Sequence, residues 1–162
     1  MNSGKRFENN FKNSVPEDIF YYRFRDGSSS WGGNEKVRFQ QTNICDCMLF
    51  DGKVLYLLEL KSTKQKSLPF NNIKKHQIED LLKAKKYSQI ICGLIIEFSG
   101  LNECYFVEIE QFKGLYDNAD RKSLPIDYCR KNGIKIDLEM KKINKKLDIK
   151  SMIEKIEKED KK

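Results

Sequence analysis

The hydrophobic and polar positions along the chain divide it into short alternating runs. "IFYYRFR" (19–25) is aromatic and β-prone and predicts a strand. Two further strands are expected at about 43–50 and 53–61, joined by a turn at Asp51-Gly52. "QIICGLIIEF" (89–98) is almost continuously apolar, the pattern of a strand covered on both faces, and "ECYFVEI" (103–109) alternates and should pair beside it. Helical spacing predicts a first helix over Lys5 to Ser14, where Ser3 caps and Pro16 stops it, and a second over 72–87. "PIDYCRKNG" (125–133) reads as a short helix ended by Gly133. Ile149, Met152, Ile153 and Ile156 recur at i, i+3, i+4 and i+7 behind Asp148, predicting a C-terminal amphipathic helix with a frayed, basic end over 148–162. Helices interleaved with strands in this order predict a single α/β domain over 1–162, a mixed central sheet flanked by helices. The stretch 26–38, rich in Gly and Ser, reads as a flexible loop or hairpin tip.

Composition narrows the class. The length of 162 residues suits one domain with a real core, and 39% hydrophobic residues exclude a disordered chain. A net charge of +7 points to a polyanionic partner, although much of the excess lies in the last fifth of the chain. No apolar run approaches the ~18 residues of a membrane span, and the terminal helix has no Trp or Phe on its apolar face, so a membrane partner is not expected. Five cysteines without regular spacing fit reduced thiols in a cytoplasmic protein. With a single histidine and no C-x-x-C pair, zinc at Cys45 and Cys47 is disfavoured.

One apolar run carries charges that packing alone does not explain. In "LLELKST" (57–63), Glu59 and Lys61 share a strand face with Leu55 and Leu57, while Val54, Tyr56, Leu58 and Leu60 point the other way. The preceding strand holds one carboxylate, Asp46. Counted outward from Asp51-Gly52, Asp46 falls near Glu59 without lying directly across, so a bulge or splayed pair is needed to bring both to one cation. Two desolvated carboxylates repel unless a cation joins them, and oxygen ligands favour Mg²⁺ or Mn²⁺. On the helix that follows, at about 100° per residue from Ile73, Gln77 falls near 40°, inside the apolar arc of Ala84, Leu81 and Ile78. A buried amide there requires partners, either nearby backbone or the site itself. His76 lies outside the arc and is not expected to act as a base.

Asp46, the run Glu59-Leu60-Lys61 and the following "STKQKSLPFNNIKKHQIEDL" together resemble the RecU-type Holliday junction resolvases of the PD-(D/E)xK nuclease superfamily, in the short form carried by phages and prophages. The likeness runs over roughly Lys5 to Glu108. It implies a restriction-endonuclease-like fold and Mg²⁺-dependent hydrolysis of phosphodiesters in branched DNA by paired nicks. On this resemblance Asp46, Glu59 and Gln77 bind the metal, helped by the Leu60 carbonyl, Lys61 is catalytic, and Glu8 matches an acid on the first helix. A homodimer acting on a four-way junction in the cytoplasm of a bacterial host is implied, with a recombinase as a further partner. Arg23, Arg25, Lys36, Arg38, Lys64 and Lys66, each of which alone reads as solvated charge, together fit a DNA-contacting surface. Two departures stand out. Ile44 occupies a position where the bacterial members have threonine, and their stalk-like insertion is shortened here to about 26–38. A branch-nonspecific or restriction-type endonuclease, and a non-catalytic DNA-binding modulator of recombination, are the alternative readings.

Overall fold

The computed structural model describes residues 3–25, 42–118 and 120–160; the Gly/Ser stretch, Trp31, Lys36 and Arg38 lie outside the described residues. Helix α1 (Ser3–Ser14) leads into β1 (Phe20–Arg23), β2 (Cys47–Phe50) and β3 (Leu55–Thr63). A short strand β4 (Ser67–Pro69) and one 3₁₀ turn (Phe70–Asn72) precede α2 (Lys75–Lys85). The central pair β5 (Ile90–Phe98) and β6 (Glu103–Glu108) is followed by α3 (Ile109–Tyr116), β7 (Ser123–Pro125), α4 (Ile126–Asn132) and β8 (Ile134–Ile136). The hairpin of β9 (Leu138–Lys141) and β10 (Asn144–Leu147) and helix α5 (Ile149–Asp160) complete the order.

Six strands form the main sheet in the order β1-β2-β3-β5-β6-β8. Only β3 and β5 are parallel, from Leu55↔Ile90 to Thr63↔Phe98, and α2 supplies the crossover that a parallel pair requires. Helices cover both faces. One layer buries Leu57, Leu94, Ile96, Ile78, Leu81, Phe112 and Cys129 under α2, α3 and α4; the other buries Phe7, Phe11, Tyr56, Leu58, Ile95, Met152 and Ile156 under α1 and α5. The expected alternation along β3 is therefore observed, with both faces packed. Strand β5 is buried from Ile91 to Phe98, in keeping with its continuous apolar sequence.

Several short elements escape the periodicity reading. Helix α3 and strands β4 and β7 to β10 were not expected, because a helix of two turns and strands of three or four residues carry too few periods to register. All five cysteines are free and buried, and Cys45 and Cys47 pack into different layers of the core. The C-terminal helix begins as expected: Asp148 Oδ1 accepts from the Ser151 N–H at 3.0 Å. Among the described residues, no helix is long and apolar enough to cross a membrane.

Candidate active site

The β2–β3 register corrects the turn counting. Phe50↔Leu55 through Cys47↔Leu58 are paired, and the ladder ends there, leaving Asp46 one residue past the last pair, at the level of Glu59. The offset arose from treating Asp51-Gly52 as the whole turn. The connection runs through Val54: Asp51 Oδ1 accepts from both the Lys53 and Val54 N–H groups at 2.8 Å, and Gly52 takes a φ of 97°.

At Asp46 the ladder opens. The backbone continues its pairing with β1, where the Phe24 N–H donates to the Asp46 carbonyl at 3.0 Å. Toward β3, however, the side chain replaces the strand: Leu60 N–H donates to Asp46 Oδ2 at 2.8 Å. A carboxylate is thereby fixed at the end of β2, beside the charged face of β3.

Glu59 is the most buried member, with 1% of its side chain exposed, against 21% for Lys61 and 30% for Asp46. The group thus opens toward solvent on the Asp46 side. Lys61 Nζ lies 2.5 Å from Glu59 Oε1 and 4.0 Å from Asp46 Oδ2, so a single cationic group serves both carboxylates. Gln77 completes the set, its Nε2 donating to Glu59 Oε2 at 2.8 Å. Its Oε1 accepts at 3.4 Å from the N–H of Lys74, the residue that precedes the first turn of α2. Of the two readings of this amide, the site is its principal partner and the backbone contact is the longer one. The K-x-x-Q spacing at a helix start, a reach-back pattern, was the sequence signal for Lys74 that went unused.

The electrostatics follow from this placement. Burial, and then the Asp46 carboxylate, push the Glu59 carboxyl up to about 7, against the opposing pull of Lys61 and Gln77. Such a pair of carboxylates favours any cation that can enter. Among the described residues no group of three or more His, Cys, Asp or Glu forms a closed cage. Two carboxylates, the Asp46 one reaching solvent, are a donor set suited to a hard ion that keeps part of its water.

Five of the remaining sequence candidates fall on described residues. Glu8, on α1, forms an ion pair with Arg23 of β1. Its Oε2 is buried and makes no hydrogen bond among the described residues, so the guanidinium is its partner through charge alone. Sequence reasoning treated the two separately and did not expect the pair, which joins residues of different elements. Arg25 is exposed, and its carbonyl accepts from Asn43 Nδ2 at 2.8 Å. Lys64 and Lys66 are exposed in the turn after β3, and Gly100 packs against the Lys64 backbone so closely that a Cβ there would lie 2.5 Å from the Lys64 carbonyl oxygen. His76 is half-buried.

Known proteins resemble this chain in sequence and in fold. A sequence model of the family described as "Recombination protein U", RecU, matches residues 12–155. The SPbeta prophage-derived uncharacterized protein YotM of Bacillus subtilis (strain 168) is 34% identical over 159 residues, covering 88% of this chain and 80% of that protein. The Holliday junction resolvase RecU of Streptococcus pyogenes serotype M1 is 36% identical over 102 residues, covering 60% of this chain and 50% of that protein. The match thus spans about half the length of that curated resolvase. Among solved structures, Hjc of Archaeoglobus fulgidus, a Holliday junction resolvase, aligns with a TM-score of 0.56 at 13% identity, over 82% of this chain and 95% of that one. That likeness establishes the restriction-endonuclease-like fold. Since the family match runs through nearly every element from α1 to α5, the chain belongs to the RecU family.

Proposed function

We propose that the chain is a divalent-metal-dependent endodeoxyribonuclease that resolves four-way DNA junctions by paired nicks, acting as a homodimer in the bacterial cytoplasm. The observation that carries this reading is the meeting of Asp46, Glu59, Lys61 and Gln77 at one opening of the sheet. Asp46 and Glu59 would hold Mg²⁺, for which Mn²⁺ substitutes. Asp46 Oδ1, which makes no hydrogen bond among the described residues, is a free ligand atom. Gln77 presents its Nε2 to Glu59 and its Oε1 to the Lys74 N–H, so in this arrangement it acts on the ion by holding Glu59. An ion bound there supplies Lewis-acid stabilisation of phosphoryl oxygens and acidifies its water.

The protein's own groups do the rest. Lys61 now neutralises the two carboxylates; once they are otherwise satisfied, its ammonium is released toward the scissile phosphate, where it offsets charge developing in the transition state. Gln77 holds Glu59 in place, and Glu8, anchored by Arg23, adds a carboxylate on the α1 side of the sheet. Arg23, Arg25, Lys64 and Lys66, with Lys36 and Arg38 from outside the described residues, would contact the phosphate backbone. Two symmetric incisions require two such sites, hence a two-fold dimer.

A labelled four-way junction and a linear duplex of the same sequence, each with Mg²⁺ and with chelator, test the proposal. Paired nicks in the junction alone, lost with chelator and in Asp46→Ala and Glu59→Ala while DNA binding persists, are expected. Equal cutting of the linear duplex would assign a general endonuclease instead. Undiminished metal-dependent cleavage by either variant would remove the site assignment.

A further inference from the structure

Beside the exit of β3, the small ribbon of β4 and β7 is bounded by cations at both ends. Its ladder runs from Ser67↔Pro125 to Pro69↔Ser123. At one end the Lys66 carbonyl accepts from the Ile126 N–H at 2.9 Å, and at the other the Lys122 carbonyl accepts from the Phe70 N–H at 3.0 Å. Lys64 and Lys66 therefore flank one end, and Arg121 and Lys122 the other. All four are exposed and have no acidic partner among the described residues. Some cations elsewhere are matched, Lys85 with Glu108, Lys113 with Asp117, Arg130 with Glu103 and Lys145 with Glu97, while others, such as Lys150 and Lys158, are not, so it is the recess beside Arg121 and Lys122 that sets this group apart.

At the Lys122 end lies an open recess of about 570 Å³, lined by Pro69, Phe70, Asn71, Tyr116, Arg121 and Lys122. Its floor is rigid. Phe70 packs edge-on against Phe112 with ring centroids 5.7 Å apart, and Tyr116 lies 5.2 Å from Phe70 and 5.8 Å from Phe112. Two unmatched cations, an exposed amide and a fixed aromatic ring are the complement of a phosphate joined to a planar base. The recess also connects to the catalytic group. Phe70 opens the 3₁₀ turn that leads to Lys74, whose N–H holds Gln77, which in turn holds Glu59. A three-residue ribbon is about 10 Å long, roughly three phosphates along one strand.

We propose that this recess takes one nucleotide of the DNA strand beyond the scissile phosphate, its phosphate between Arg121 and Lys122 and its base against Tyr116. The inference rests on the DNA-cleaving reading above and names a contact that reading does not include.

Binding of a fluorescent four-way junction, measured by anisotropy in chelator over a range of salt, tests it without cleavage. Arg121→Gln/Lys122→Gln should weaken binding about ten-fold and reduce the slope of log affinity against log salt by about two, and each single variant by about one. Tyr116→Leu should weaken a junction with unpaired bases more than a plain duplex. Lys150→Gln/Lys158→Gln, on helix α5 over the other layer, should change neither quantity. Wild-type affinity and slope in Arg121→Gln/Lys122→Gln would overturn the recess while leaving the nuclease reading intact. A wild-type protein that binds junctions but never cuts them would do the reverse.

Discussion

Glu59 is a carboxylate set almost wholly inside a sheet, and its behaviour follows from that position. Its carboxyl is raised from the ordinary value of 4.5 to about 7, chiefly by burial and then by Asp46. A raised folded-state pKa contributes stability that is complete below the unfolded value and is lost as pH climbs through the folded one. The metal-free protein should therefore lose melting temperature between about pH 4.5 and 7 on account of this residue. Glu59→Gln should flatten that part of the profile in thermal melts at a series of pH values. Divalent ions compete with the same proton, so Mn²⁺ affinity measured by calorimetry should strengthen as pH rises toward 7 and then level off. Gln77→Leu removes the donor to Glu59 Oε2 and should cost roughly 10–100-fold in Mn²⁺ affinity and in single-turnover cleavage, as supporting groups around metal sites typically do.

At the scale of elements, one glycine governs how the central strand β5 packs against β6. A Cβ added at Gly93 would lie 2.4 Å from Phe106 Cε2 and 2.6 Å from the Val107 carbonyl oxygen, so β6 must move if Gly93 is replaced. Gly93→Ala should destabilise the fold by about 2–4 kcal/mol in urea unfolding, within the range for overpacked cores. Ser14→Ala should cost on the order of 1–2 kcal/mol, because the buried Leu147 N–H loses the hydroxyl that now accepts its hydrogen bond at 2.9 Å. Long elements with many periods were legible in the sequence: β3 and β5 by their apolar runs, α2 by its arc, α5 by its stripe behind Asp148. The short strands β7 to β10 were not, since three or four residues carry too few periods, and β7 and β8 pair with β4 and β6 from far along the chain. For the site, Glu59, Lys61 and Gln77 could be placed on faces by periodicity. The position of Asp46 relative to them could not, because it depends on how many residues the turn after Asp51 consumes. The Glu8–Arg23 pair had no local signal, since it joins a helix to a strand.

For the molecule as a whole, the net charge of +7 and the unmatched cations around β3 and β4 predict junction binding that falls steeply with salt. A two-fold dimer should appear in sedimentation at the concentrations where paired nicks are produced, and a monomer there would leave only single incisions. The bond between the Leu60 N–H and Asp46 Oδ2 also gives the protein an internal reporter. That amide is held by a side chain from the end of the neighbouring strand rather than by another peptide group. Any event that draws the Asp46 carboxylate away exposes a single, identifiable proton on the central sheet. Nitrogen-labelled protein titrated with Mg²⁺ should show the Leu60 resonance move in the absence of any DNA, because Oδ1 of the same carboxylate takes the ion while Oδ2 accepts from this amide.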